Sequence, residues 1–226
     1  EGSDGAIEVS ASGGTLSYTF NWTTTDGTGI IQGNEDQSGL TAGTYNLELT
    51  DDNKCVATQT FILTEPQAIV ISTVLKEDIL CFGDATGAIE INITGGTPIE
   101  VSTGVFDYSY SWTGPNGFTS NAQNISNLFA GTYTIEITDD LGCIERTDIV
   151  LTQPTVIEIN YTKTDATCYG ATDGSIDVTV NGGRPPYQIS WSNLGNGFSQ
   201  SNLSAGNYIA TIVDENHCEA NVTITI

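Results

Sequence analysis

The chain has no methionine, one histidine, and 5 lysine and arginine residues set against 28 aspartates and glutamates. With a formal net charge of -23 it has nothing with which to neutralise a row of phosphates, so nucleic-acid binding is not expected. The same balance disfavours docking on anionic lipid. It is compatible with divalent cations and with a surface that repels its own copies. No stretch approaches the ~20 consecutive apolar residues of a membrane-spanning helix, so direct membrane insertion is not expected. There is no Cys-x-x-Cys pair, and the single histidine, His217, adjoins Cys218 on a turn-like segment with no further zinc ligands nearby. One unmatched histidine cannot serve as general base for a repeated nucleophile, and the stretch GDATGA (Gly83–Ala88) lacks the lysine of a phosphate loop. Paired carboxylates that hydrolyse glycosides would need a cleft-building segment, and none is apparent. An enzyme is therefore not expected. Helical periodicity and a leader peptide are missing too, and Glu1 falls inside a repeat, so the sequence reads as a piece of something longer.

What is present comes in threes. A Gly-Gly pair occurs at Gly13–Gly14, Gly95–Gly96 and Gly182–Gly183. Each is followed by a tryptophan (Trp22, Trp112, Trp191), an Ala-Gly pair, and a tyrosine two residues beyond its glycine (Tyr45, Tyr133, Tyr208). An acidic turn and a closing cysteine end each unit: Asp51–Cys55, Asp139–Cys143 and Asp214–Cys218. The period of roughly 75 to 90 residues suits a small all-β domain and is too long for one solenoid turn. Period-two alternation marks the strands, as in Ile7 and Val9, Ile89–Ile91–Ile93, Tyr108–Tyr110–Trp112 and Tyr133–Ile135–Ile137. Two half-polar sheets that bury their inner faces make a sandwich. The expected fold is all-β, with tandem immunoglobulin-like sandwiches arranged end to end. Pro66 and Pro154, in TEPQA and TQPTV, stop the ladders and set repeat 1 at 1–66, repeat 2 at 67–154 and repeat 3 at 155–226. The same-face spacing of the tryptophans and tyrosines places them in the cores rather than on a sugar-stacking platform.

CYGATDGSIDVTVNGGRPPYQISWSN followed by NLSAGNYIATIVDENHC resembles the SprB-type repeat, and CFGDATGAIEINITGG with NLFAGTYTIEITDDLGC and TQP resembles a second copy. These repeats belong to very long surface adhesins of gliding bacteria that use the type IX secretion route, and they are similar to PKD-like immunoglobulin-type modules. The resemblance implies an extracellular or cell-surface location, a stiff stalk or filament, and no catalytic residues. Its partners would be neighbouring repeats of the same chain, other copies in a filament, and glycans or another cell reached through distal regions. It also implies a tyrosine corner at Tyr133. Repeat 1 departs from the pattern by lacking an opening cysteine and by its irregular stretch TTTDGTGIIQGNEDQ, and repeat 2 by the insertion TPIEVSTGVFD. An alternative function is a carbohydrate-binding tandem module using Phe106, Phe118, Phe129 or Phe198.

The 5 cysteines imply disulfides, with several pairings open. One scheme bonds Cys81 to Cys143 and Cys168 to Cys218 within repeats and leaves Cys55 unpaired. A second bonds Cys55 to Cys81 and Cys143 to Cys168 across the linkers. A third joins Cys81 to Cys218. The first is preferred because it makes each complete repeat self-contained, each bridge closing a loop of ~50–60 residues for ~4 kcal/mol. No cofactor is required, although the acidic turns, with Asp4, Asp84 and Asp173 beside a glycine ahead of each unit's alternating Ile/Val strand, are hard oxygen donors of the kind calcium takes. Asp84 would then approach Asp214 and Glu215, and Asp4 would approach Asp139 and Asp140. Asp and Asn in such turns equally serve the backbone. Lys76 and Lys163 occupy equivalent places, where an ion pair to a nearby acid is favoured over an isopeptide bond.

Overall fold

The structure, a computed structural model, describes Gly2–Ile226. Apart from one 3-10 turn at Pro115–Gly117, the regular elements among these residues are strands. The chain divides into two compact units, Glu1–Ala68 and Ile69–Ile226.

The first unit contains β1 (Gly5–Ile7), β2 (Thr19–Thr24), β3 (Gln37–Leu40), β4 (Gly43–Thr50) and β5 (Val56–Leu63). β1 pairs with β3, and β2, β4 and β5 form the facing sheet. Its core is Ile7, Trp22, Leu40, Tyr45 and Leu47. The alternation Ile7, Val9 does not extend as a strand: β1 stops at Ile7, and Asp36 Oδ1 accepts the Val9 N–H at 3.0 Å. The irregular stretch forms a loop over the core. There Gln37 is buried, its Oε1 accepts from Ile31 N (2.7 Å), and its amide nitrogen donates to Ile31 O (2.9 Å).

The second unit begins with β6 (Val70–Glu77), β7 (Gly87–Thr94), β8 (Ile99–Ser102), β9 (Val105–Asp107), β10 (Ser109–Thr113), β11 (Thr119–Ser120), β12 (Ile125–Leu128), β13 (Gly131–Thr138) and β14 (Ile144–Leu151). One sheet runs β12-β7-β6 and the other β11-β10-β13-β14. Alternate residues of both enter one core: Ile89 and Ile91 from β7 meet Trp112, Ile135 and Ile137. Trp112 lies opposite Ile135 in the β10–β13 register, which places the largest side chain at the centre of the layer. The insertion folds as a separate β8–β9 hairpin. Further on come β15 (Glu158–Thr164), β16 (Gly174–Asn181), β17 (Gln188–Trp191), β18 (Ser199–Leu203), β19 (Asn207–Val213) and β20 (Glu219–Thr225), in sheets β15-β16-β18 and β17-β19-β20. Ile176, Val178, Trp191, Ala210, Ile212 and Ile224 fill that core. Facing sheets of this strand order are immunoglobulin-like sandwiches.

Candidate functional site

The closing turns share one construction. In Asp139–Cys143, Asp139 Oδ1 accepts from Leu141 N (3.1 Å) and Cys143 N (2.8 Å), while Oδ2 accepts from Thr97 N (2.9 Å). In Asp214–Cys218, Oδ1 accepts from Asn216 N and Cys218 N, both at 2.9 Å, and Oδ2 from Arg184 N at 2.8 Å. In Asp51–Cys55 the same carboxylate holds Cys55 N (2.8 Å) and Thr15 N (2.9 Å). Each buried aspartate therefore clamps its own turn to the residue after the Gly-Gly pair. The second glycine makes this possible. Gly96 has φ +62°, and a Cβ there would lie 2.7 Å from Ile69 Cγ1 and 3.1 Å from Asp139 Oδ2. The first glycine's carbonyl is held by a tyrosine hydroxyl: Tyr18 donates to Gly13 O, Tyr108 to Gly95 O (2.7 Å) and Tyr187 to Gly182 O (2.5 Å).

Hydrogen bonding lowers two of these carboxyls, Asp51 and Asp139. The Thr15 N–H, followed by Cys55, holds the Asp51 carboxyl below its usual range. Burial would raise Asp139, but the N–H groups of Thr97, Cys143 and Leu141 outweigh it and hold this carboxyl low as well.

Trp22, Trp112, Trp191, Tyr45 and Tyr133 are buried, whereas Tyr208 is only partly covered. The indole N–H groups donate to Asn34 O, Ala122 O and Gly197 O, each at 2.9 Å. The tyrosine hydroxyls return to the carbonyl four residues back: Tyr45 to Thr41 (2.7 Å), Tyr133 to Phe129 (3.0 Å) and Tyr208 to Ser204 (2.9 Å).

The cysteines do not pair within repeats. Cys81 is bonded to Cys218, 137 residues away, with Cα atoms 5.5 Å apart. Cys55, Cys143 and Cys168 are free and exposed. The preferred scheme is corrected for a topological reason. The loop before β7 and the turn before β14 lie at opposite ends of their sandwich, while the loop before β7 reaches the closing turn of repeat 3. Asn216 Nδ2 donates to Leu80 O at 2.8 Å beside the bridge. The linker anchors the other side: Ile79 N donates to Thr152 O (2.9 Å), Thr152 N to Asp78 Oδ1 (2.6 Å) and Gly83 N to Gln153 Oε1 (2.9 Å). Phe82, Asp84, Pro154, Val156, Asp214 and His217 line a cleft of about 360 Å³ at this junction.

Asp84 and Asp214 thus share a cleft, but Asp214 spends its carboxylate on backbone N–H groups and Glu215 pairs with Arg184 at 2.8 Å. Asp4 and Asp140 are exposed, and no group of three or more His, Cys, Asp or Glu side chains suited to a metal occurs among the described residues. Lys76 pairs with Asp78 (3.4 Å) and Lys163 with Asp165 (2.6 Å). Phe118 packs edge-on against Tyr133, with ring centroids 5.4 Å apart, while Phe106, Phe129 and Phe198 are exposed.

Three segments of the chain, residues 1–27, 73–117 and 160–196, match the SprB repeat. These three segments are similar to SprB repeats. Each matched SprB segment contains its tryptophan, and the closing cysteines lie outside the matched residues. No curated protein matches the chain. Among solved structures, the N-terminal eight Ig domains of Down Syndrome Cell Adhesion Molecule align at 12% identity and TM-score 0.47, over 92% of this chain and 32% of that one. The Dpr2 Ig1-Ig2 complex with DIP-Theta Ig1-Ig3 aligns at 10% identity and TM-score 0.32, over 93% of this chain and 89% of that one. No helix among the described residues is long and apolar enough to cross a membrane.

Proposed function

We propose that this chain is a structural segment of a long bacterial cell-surface adhesin or extracellular filament of the gliding-motility type. Its SprB repeats form a stiff stalk that projects a binding region located elsewhere in the parent protein. The observation that carries this reading is the Cys81–Cys218 bridge. It adds a covalent tie between successive repeats already joined through Pro154, at a junction closed by backbone and side-chain hydrogen bonds. Two attachments resist bending and separation where one peptide link would act as a hinge. A persistent disulfide also suits an oxidising, extracellular setting.

In this reading the acidic turns are parts of the fold, and the chain has no catalytic role and no cofactor. Its direct partners are neighbouring repeats and other copies in a filament, and glycans or a second cell are met by distal regions. Immunogold labelling of intact cells with antibody to this chain tests the reading. Gold on extracellular filaments is expected, and labelling only after permeabilisation would overturn it. Strong binding of this segment alone on a glycan array would favour the carbohydrate-binding alternative.

A further inference from the structure

Two parts meet at the bridged junction: the opening loop of repeat 2, around Cys81, and the closing turn of repeat 3, around Cys218. Repeat 3 has an opening loop of the same build. In repeat 2, Leu80 N donates to Thr86 Oγ1 (3.0 Å) and Asp84 N to Cys81 O (3.2 Å). In repeat 3, Thr167 N donates to Asp173 Oδ1 (3.0 Å) and Ala171 N to Cys168 O (3.0 Å). Asp173 also accepts from the Thr167 hydroxyl at 2.7 Å, so the loop is held in shape without a partner. The bonded loop and the free one differ in cover. Phe82 lines the junction cleft and is 54% exposed, whereas Tyr169, in the same position, is 105% exposed and stands beside the free thiol of Cys168.

We propose that the loop Thr167–Gly170 is a docking site for the closing turn of a further SprB repeat, sealed by a disulfide from Cys168 to that turn's cysteine. The rule is directional: the opening cysteine of one repeat bonds the closing cysteine of the next. The incoming turn is recognised as Cys218 and Asn216 are recognised now. A side-chain donor two residues before its cysteine reaches the Thr167 carbonyl, as Asn216 reaches that of Leu80. Tyr169 lines the cleft formed with the turn, as Phe82 lines one with His217 and Cys218. Forming the bond removes one proton and one electron from each thiol. A disulfide oxidant takes up both and is cleaved to two thiols. The inference needs only tandem repeats and does not depend on a stalk or adhesive role.

The test extends the full chain after Ile226 by Thr-Gln-Pro and a second copy of residues 155–226. The second copy alone carries Cys168→Ser and Asn221→Gln, which leaves Cys81 and Cys168 of the original residues as the opening cysteines and marks the new closing peptide by mass. After oxidation with oxidised glutathione, non-reducing peptide mapping is expected to join Cys168 to the marked peptide, beside an intact Cys81–Cys218 pair. Free thiols then fall from the present three, Cys55, Cys143 and Cys168, to two. A second extension built from residues 67–154, its copy carrying Cys81→Ser to remove the competing opening cysteine and Leu141→Asn to supply the side-chain donor and a mass mark, repeats the test with an independent closing turn. Cys168 left free in both extensions, or bonded to Cys143 or Cys55 of the original 226 residues, overturns the proposal. Absence of the Cys81–Cys218 pair from the parent chain overturns it too. Surface labelling decides the stalk reading separately, so the two can fail independently.

Discussion

The carboxylate of Asp139 ties together two loops 42 residues apart while capping its own turn. Removing it leaves the N–H groups of Thr97, Leu141 and Cys143 without their acceptor. Each uncompensated polar group costs about 1–3 kcal/mol when buried, and water relieves part of this at a turn. Asp139→Ala is therefore expected to destabilise the second unit by about 2–4 kcal/mol in chemical denaturation. Asp140→Ala, at the exposed neighbour, should stay within about 0.5 kcal/mol. Acid should act through the same groups. The Asp51 and Asp139 carboxyls are held low when folded, so the unfolded chain binds protons more readily. Their stabilisation is complete above the ordinary carboxyl pKa of about 4 and is lost as pH falls through the lower folded value. Asp139→Ala should accordingly flatten the decline in stability between neutral and strongly acid pH. An unchanged acid slope would show that other carboxylates carry it.

At the scale of elements, the Gly-Gly turn is where sequence and structure meet most closely. Gly96 needs both its positive φ and its missing side chain, since a Cβ would press on Ile69 and Asp139. Gly104, at the tip of the β8–β9 hairpin, has φ +75° and nothing within 4 Å of a Cβ. Gly104→Ala thus costs only the left-handed backbone, about 1–2 kcal/mol, and affects a hairpin outside the core. Gly96→Ala should cost at least 1 kcal/mol more, read as a lower melting temperature of the second unit. Equal losses would mean that the Asp139 contact yields freely. The strands with strict alternation, such as β7 and β13, were legible because burial has period two there. Three things were not. The strand after Ile7 fails because Asp36 takes the Val9 N–H. In repeat 2, side chains stand in for a ladder, with Gln123 donating to Ile91 O and Asn124 accepting from Ile91 N. An amide in a loop gives no periodic signal. The disulfide was visible only as one of several pairings, because cysteine spacing does not record which end of a sandwich each loop occupies.

At the scale of the whole molecule, the bridge decides which residues bear load. Tension entering the second unit through β6 reaches Cys81, crosses to Cys218, and leaves through β20. The 137-residue separation between the two cysteines is bypassed and adds no length even if the strands inside it come apart. The closed loop also restricts the unfolded chain, by about 5 kcal/mol in the chain-entropy account. Pulling the full chain from its two ends in a single-molecule force instrument should therefore give two contour lengths. The reduced chain, or Cys218→Ser, should extend roughly 450–490 Å further than the oxidised chain, from 137 residues at ~3.3–3.6 Å each. The first unit, which holds only the free Cys55, should release the same length in both states. Equal total extension with and without reductant would mean that Cys81 and Cys218 are not bonded in the pulled molecule and that tension does not bypass the residues between them. A difference of the stated size would make the disulfide a limiter of extension. A chain under intermittent pull can then lose internal packing without lengthening, and recover it when the load is released.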